Sequence, residues 1–87
     1  MNGRPKMPVP SGELKPRELC REIAAWAASQ GYSYEELPHG SEFAKVFVRD
    51  PAGGETFTTV PNAHHGRKLR RDQVRYTIQA VNNNWSN

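Results

Sequence analysis

Two hydrophobic periodicities follow one another along this chain, and they predict the order of its elements. Apolar residues recur at helical spacing over residues 16–30, with Leu19, Ile23 and Trp26 on one stripe. Gly31 is a natural stop for a helix at its C-terminal end. This first segment is therefore predicted to be an amphipathic helix.

From residue 32 the spacing changes to two, which is the period of a β-strand. Residues 32–37, 42–49 and 55–60 are predicted to be three strands, with a hairpin loop rich in Pro and Gly at 50–54. In the second strand one face carries Ala44, Val46 and Val48, and the other carries Phe43, Lys45, Phe47 and Arg49. Because two cations on one face resist burial, the aliphatic face is expected to meet the helices.

Helical spacing returns over residues 69–83, with Val74 and Ile78 on one stripe. The predicted fold is a two-layer α+β sandwich of the order α-β-β-β-α, in which two helices cover one face of a three-stranded antiparallel sheet. At 87 residues the chain is one domain. Residues 1–13 are rich in Pro and Gly and lack apolar periodicity. We predict a flexible arm there and a single α+β domain over residues 14–87.

Charge is distributed unevenly along the chain. The net charge is +3, but residues 16–60 sum to −3 and residues 61–87 to +4. Four cations at the start of the last helix form what we call the basic cluster: Arg67, Lys68, Arg70 and Arg71. Cations at this position oppose the helix dipole, at a cost of roughly 0.3–1 kcal/mol each, so the cluster indicates an anionic partner such as nucleic acid. An acidic protein, or a solvated surface without a ligand, is the alternative.

The predicted outer face of the sheet alternates aromatic and cationic side chains. Lys45 lies between Phe43 and Phe47, which makes it a further candidate for nucleic-acid binding, since rings stack on bases and cations bind phosphates. The same rings would also suit simple coverage of the sheet, or burial against a second subunit or a partner chain.

Three histidines lie in predicted turns or loops, at positions 39, 64 and 65. Metal-independent RNA cleavage requires a general base, a general acid and cations near the phosphate. His39, His64 and Glu42 are the candidate catalytic residues if the fold brings them to the basic cluster. For each histidine the alternative is an ordinary loop residue. No metal site or cofactor is expected, because the chain has one cysteine and no histidine pair at i, i+4 spacing.

Membrane insertion and secretion are not expected. No apolar run approaches the ~20 residues that span a bilayer. The first residues lack the apolar segment of a secretory signal. Cys20 has no second cysteine for an internal disulfide, which fits a reducing compartment. We therefore expect a cytoplasmic protein.

Several short motifs, taken in order, resemble the HicA-type toxins, small mRNA interferases with a double-stranded-RNA-binding-like fold. The matching residues are Gly31-Tyr32, Gly40-Ser41, Val60-Pro61, His64 or His65 in a basic loop, Lys68-Leu69, Val74-Arg75 and Ile78. The resemblance covers about residues 14–81. It implies RNA binding, ribonuclease activity and an antitoxin partner.

The chain departs from the family pattern at three places. Glu42 stands where the family has its catalytic histidine. Asp72-Gln73 replaces the Gly-Thr pair that opens the family's last helix, and the loop after Pro61 is slightly longer. The first of these changes affects the residue on which family-type cleavage depends.

Three hypotheses follow from these observations. The leading one is a HicA-like protein that binds nucleic acid, with RNA favoured, through the basic cluster. The second is a metal-independent ribonuclease that uses Glu42 with His39 or His64. The third is a protein-interaction module on a degenerate toxin fold, which would use the outer face of the sheet and the rim around Trp85.

Overall fold

A computed structural model of the protein describes residues 4–62 and 66–86. It contains helix α1 (Pro16–Ser29), strands β1 (Ser33–His39), β2 (Phe43–Arg49) and β3 (Glu55–Pro61), and helix α2 (Arg71–Asn83). The strands form one antiparallel sheet in the order β1-β2-β3. The predicted α+β class and element order are confirmed. In the described part of the chain, neither helix is long and apolar enough to cross a membrane.

Side chains from inside each helix cap its first turn. The Lys15 N–H donates to the Glu18 carboxylate at 2.7 Å at the start of α1, and the Arg70 N–H donates to the Gln73 side chain at 2.9 Å at the start of α2. Lysine and arginine side chains only donate hydrogen bonds, so they cannot cap a helix N-terminus themselves. α1 ends before Gly31, whose φ of 75° favours glycine.

The core lies between the two helices and the inner face of the sheet. Val46 and Val48 belong to the face that was predicted to meet the helices, and each is 1% exposed. They share one core with fully buried residues of both helices: Leu19, Ile23, Ala27, Val74, Ile78 and Val81. The predicted orientation of β2 is therefore confirmed.

Two buried threonines attach β3 to α2. The Thr56 hydroxyl donates to the Val81 carbonyl at 2.8 Å, and the Thr58 hydroxyl donates to the Thr77 carbonyl at 3.2 Å. A helix carbonyl has a second lone pair and can accept an additional hydrogen bond. The buried hydroxyl groups on the inner face of β3 therefore have hydrogen-bond partners within the protein and need none from solvent.

Residues 4–13, which lie in the predicted flexible arm, contact the domain. Met7 is 4% exposed and belongs to the core. Its N–H donates to Asn82 Oδ1 at 2.8 Å, and Asn82 Nδ2 donates to its carbonyl at 3.0 Å. Arg4 forms an ion pair with Asp50 at 2.8 Å. The mobility of the arm stays a prediction, but Met7 is a core residue that the sequence pattern did not indicate.

One guanidinium connects all three strands. Arg49 of β2 binds Glu35 of β1 through Nη1 at 2.8 Å and Glu55 of β3 through Nε at 2.5 Å. Hydrogen bonds from Arg49 to Glu35 and then to Glu55 raise its pKa above the ordinary arginine value. The positive charge of Arg49 is therefore fixed between two carboxylates.

A carboxylate on β1 holds α1 against the sheet. Glu36 accepts a hydrogen bond from the Tyr34 hydroxyl at 2.8 Å and forms an ion pair with Arg17 of α1. Burial favours the protonated acid, but these two donors outweigh burial and lower the pKa of Glu36 below its ordinary value. Burial, followed by the hydrogen bond to Glu36, raises the pKa of Tyr34.

This carboxylate should make stability depend on pH. A lowered pKa in the folded state stabilises the fold above the ordinary Glu value of 4.5, and that contribution is lost as the pH falls through the folded value. Glu36→Gln should therefore cost about 0.5–1 kcal/mol at pH 7 and less at acid pH, where the unmodified protein has lost the same contribution. Urea unfolding at pH 7 and at acid pH measures the difference, and Glu22→Gln, at an exposed position on α1, is the control. A cost for Glu36→Gln that is the same at both pH values would contradict this account.

Candidate nucleic-acid interface

Both helices begin at the same end of the sheet. Leu14 and Leu69 form an antiparallel bridge, in which the Leu69 N–H donates to the Leu14 carbonyl at 2.7 Å. The next residues, Lys15 and Arg70, are the N-caps of α1 and α2. The positive ends of two helix dipoles therefore lie close together.

The basic cluster lies at this end and is open to solvent. All four of its residues are exposed. Within the residues that the structure describes, none of the four takes part in an ion pair. Carboxylates bind four other arginines: Arg4, Arg17, Arg49 and Arg75. The charge of the basic cluster is thus not neutralised by a carboxylate of the described chain.

Two adjacent clefts lie between the basic cluster and a second group of cations on α1. A cleft of about 280 Å³ is lined by three members of the basic cluster: Arg67, Lys68 and Arg70. A larger cleft of about 560 Å³ lies at the start of α1. Its charged lining residues are three cations, Lys15, Arg17 and Arg21, and one acid, Glu18. Asn62 lines both clefts.

The positive surface is therefore wider than the sequence indicated. Arg17 is paired with Glu36, and the remaining cations form what we call the basic end: Lys15, Arg21, Arg67, Lys68, Arg70 and Arg71. Sequence reasoning missed Lys15 and Arg21, because they lie far along the chain from the basic cluster. The backbone bridge between Leu14 and Leu69 brings the two groups to the same end of the protein.

Asn62 also fixes the turn between β1 and β2 beside the basic end. Its N–H donates to the Glu42 carbonyl at 2.8 Å, and its Nδ2 donates to the Ser41 carbonyl at 2.9 Å. The backbone of the candidate residue Glu42 is thereby held next to the segment that leads to the basic cluster. The side chain of Glu42 is exposed.

The candidate catalytic side chains are not joined to one another in the described residues. The His39 ring stacks against the Phe43 ring on the outer face of the sheet, with centroids 4.8 Å apart. No ion pair links Glu42 with His39 anywhere in residues 4–62 or 66–86. His64 and His65 lie outside the described residues. Catalytic roles for Glu42, His39 and His64 stay predictions.

Lys45 lies apart from the basic end. Its place in the alternation of β2 puts it on the outer face, whereas the buried Val46 and Val48 face the helices. The structure therefore brings Arg67, Lys68 and Arg70 to one cleft, with Arg71 exposed at the start of α2, but places Lys45 on the other side of the sheet from α2. A nucleic-acid contact by Lys45 stays a prediction.

The described residues hold neither a metal cluster nor an activated thiol. No group of three or more His, Cys, Asp or Glu side chains in residues 4–62 and 66–86 is arranged to hold a metal ion. Cys20 is 3% exposed, and burial raises its pKa, which favours the unreactive thiol. Cys20 is therefore a core residue.

No protein-family model, curated protein or solved structure matches the chain. The resemblance to HicA-type toxins therefore stays a prediction from short sequence motifs.

Proposed function

We propose that this protein is a HicA-like nucleic-acid-binding protein that binds RNA through its basic end. The observation that carries the proposal is the gathering of cations at the starts of two helices. Within the described chain no carboxylate pairs with them. Unpaired cations displace the counterions of a polyanion when they bind it, and this release drives association.

The local geometry favours phosphate groups as the ligand. The two clefts lie side by side, and cations line both of them. The N-termini of α1 and α2 add the positive ends of their dipoles and backbone N–H groups that have no partner within the helix. A surface of this kind suits a ligand in which negative charges repeat along a chain.

The preference for RNA over DNA comes from the resemblance and not from the charges. Phosphate contacts position a nucleic acid but carry no information about its bases or sugars. The motifs shared with HicA-type toxins support RNA, since mRNA is the substrate of that family. The same resemblance supports an antitoxin-like acidic protein as a second ligand, which would compete with RNA for the basic end.

The salt dependence of RNA binding tests this proposal. For a fluorescently labelled RNA duplex, we expect the logarithm of the binding constant to fall linearly with the logarithm of the salt concentration. The slope should be about −3 or steeper, since each phosphate contact contributes roughly −0.7 to −0.9 to it. Fluorescence anisotropy at a series of salt concentrations measures the slope, and a DNA duplex of the same sequence should bind more weakly. Absence of RNA binding at low salt, or a slope near zero, would refute the proposal.

The same samples test the ribonuclease alternative. RNA recovered after incubation with a chelator is separated on a gel. Cleavage that disappears in Glu42→Ala or His39→Ala would favour a metal-independent ribonuclease over a protein that only binds. Intact RNA would leave binding as the activity of the basic end.

A further inference from the structure

Strand β3 forms one edge of the sheet, and the C-terminal segment already pairs with its first residue. Glu55 and Ser86 form an antiparallel bridge in which the N–H of each donates to the carbonyl of the other at 2.8 Å. The backbone groups of Glu55 therefore point away from β2. In an antiparallel strand this direction alternates from residue to residue, and the unbroken register of β3 with β2 repeats it at Phe57 and Thr59.

The second half of this edge is open. Asn84 Nδ2 donates to the Phe57 carbonyl at 3.1 Å, which extends the cover by one pair. Thr59 is exposed, and no residue in 4–62 or 66–86 forms a hydrogen bond with its N–H or carbonyl on this side. We call residues 57–61 the open edge. An exposed strand edge of this kind is a template for a further strand.

The opposite edge of the sheet is less suited to strand addition. The alternation carries across β2 to β1, where the backbone of Pro38 points outward, and proline has no N–H to offer a further strand. In β3 the proline is the last residue, Pro61, so the outward N–H groups of Phe57 and Thr59 remain. Strand addition is therefore favoured at β3 over β1.

A cleft beside the open edge can hold a side chain of an added strand. It has a volume of about 240 Å³ and lies between β3 and α2, with Thr58, Tyr76, Thr77 and Ala80 in its lining. Thr58 points to the helix layer, where its hydroxyl bonds Thr77. In a strand paired with Thr59, the residues next to that pair point the same way as Thr58. One of their side chains therefore enters the cleft.

The cleft adjoins the basic cluster at its Pro61 end. Pro61 and Gln73 line both this cleft and the cleft of about 280 Å³ that Arg67, Lys68 and Arg70 also line. An added strand that runs antiparallel to β3 begins at this end, so its N-terminal residues lie beside these cations. Carboxylates on those residues complement the charge.

We propose that the open edge binds an extended acidic segment of another protein by strand addition. Backbone hydrogen bonds at Thr59 supply affinity, the cleft beside Tyr76 selects an apolar side chain, and the basic cluster selects carboxylates at the N-terminal end of the segment. An RNA backbone has no alternating N–H and carbonyl groups to match this edge. The proposal rests on strand geometry and does not require that the basic end bind RNA.

Fluorescence anisotropy with the whole chain and a labelled synthetic peptide tests strand addition. The peptide has two glutamates followed by alternating valine and threonine, about seven residues in all. We expect a dissociation constant of roughly 10–1000 µM, because the open edge is short. The same peptide with lysines in place of the glutamates should bind at least about fivefold more weakly.

Two substitutions at one position isolate the backbone contact. Thr59→Pro removes an N–H that makes no hydrogen bond to β2, so the sheet should persist while peptide binding weakens at least about tenfold. Thr59→Val keeps the N–H and should bind the peptide like the unmodified protein. Circular dichroism confirms that both variants are folded.

N-methylated peptides test the same contact on the unmodified protein. Methyl groups on the amides that face β3 remove the donor to the Thr59 carbonyl and should abolish binding. Methyl groups on the alternate amides, which point away from β3, should leave it. This pair decides the question even if Thr59→Pro does not fold.

Several results would overturn the proposal. They are absence of peptide binding at about 1 mM, equal binding of the glutamate and lysine peptides, equal binding by folded Thr59→Pro and Thr59→Val, and equal binding of the two methylated peptides. Sedimentation equilibrium adds one more, since a dimer of the unmodified protein that is lost in Thr59→Pro would assign the open edge to a second copy. The RNA duplex is titrated separately, so peptide binding and RNA binding can each fail alone.

Discussion

Replacing all four residues of the basic cluster with glutamine should weaken RNA binding about 10³-fold at 0.1 M salt and reduce the salt slope by about 3. The reason is that each cation lost removes one phosphate contact and the counterion it releases. Glutamine keeps a polar side chain of useful length, and the four positions are exposed, so folding should change little. Anisotropy titrations over a range of salt measure both quantities.

A matched pair of double variants separates position from total charge. Lys68→Gln with Arg70→Gln removes two charges from the basic end. Lys6→Gln with Lys45→Gln removes two charges outside the basic end, since Lys6 precedes Met7 near the end of α2 and Lys45 lies on the outer face of the sheet. The first pair should weaken RNA binding about tenfold or more, and the second should have a small effect. Equal losses in both pairs would mean that net charge, and not the basic end, determines affinity.

Met7→Ala should destabilise the fold by about 2–3 kcal/mol, because it removes a buried side chain and leaves a cavity. Met7 is 4% exposed, in contact with the core. Its two hydrogen bonds with Asn82 use the backbone, so the alanine variant keeps them and isolates the contribution of the side chain. Urea unfolding followed by circular dichroism measures the change in free energy.

Val9→Ala provides the comparison within the same segment. Val9 is 46% exposed, so its truncation should cost less than about 0.5 kcal/mol. A Met7→Ala cost no greater than that of Val9→Ala would show that the arm does not contribute to the core. It would then support the flexible arm predicted from the sequence.

The order of elements could be predicted because each element carries its own periodic signal. The stripe of α1 and the alternation of β2 are local patterns, and the buried residues Ile23, Val46 and Val48 follow from them. The orientation of the sheet followed from one argument, that Lys45 and Arg49 resist burial. These inferences need only neighbouring residues, which is why the sequence was sufficient for them.

Met7 and the full extent of the basic end could not be predicted in this way. Met7 has no periodic neighbours, and its place in the core depends on Asn82, near the other end of the chain. The pairing of Leu14 with Leu69 brings the segment of Lys15 and Arg21 to the basic cluster. Contacts between distant segments leave no local pattern, and a single sequence does not reveal them.

The candidate catalytic residues illustrate the same difference. The sequence could offer His39 and Glu42 as a pair because both flank one turn. It could not determine which side of the sheet each side chain occupies. Stacking on Phe43 sets the His39 ring on the outer face of the sheet, and the backbone carbonyl of Glu42 accepts a hydrogen bond from Asn62.

The bridge that Arg49 makes to Glu35 and Glu55 has a consequence for how the strands align during folding. The smallest slip that keeps inward-facing residues inward is two residues, which moves a strand by roughly 6.6 Å. A slip of β1 would carry Glu35 out of reach of the guanidinium, and a slip of β3 would do the same to Glu55. Arg49 therefore keeps both ion pairs only in the native register of the three strands. Arg49 therefore distinguishes the native pairing from its nearest competitors, which share the same apolar pattern.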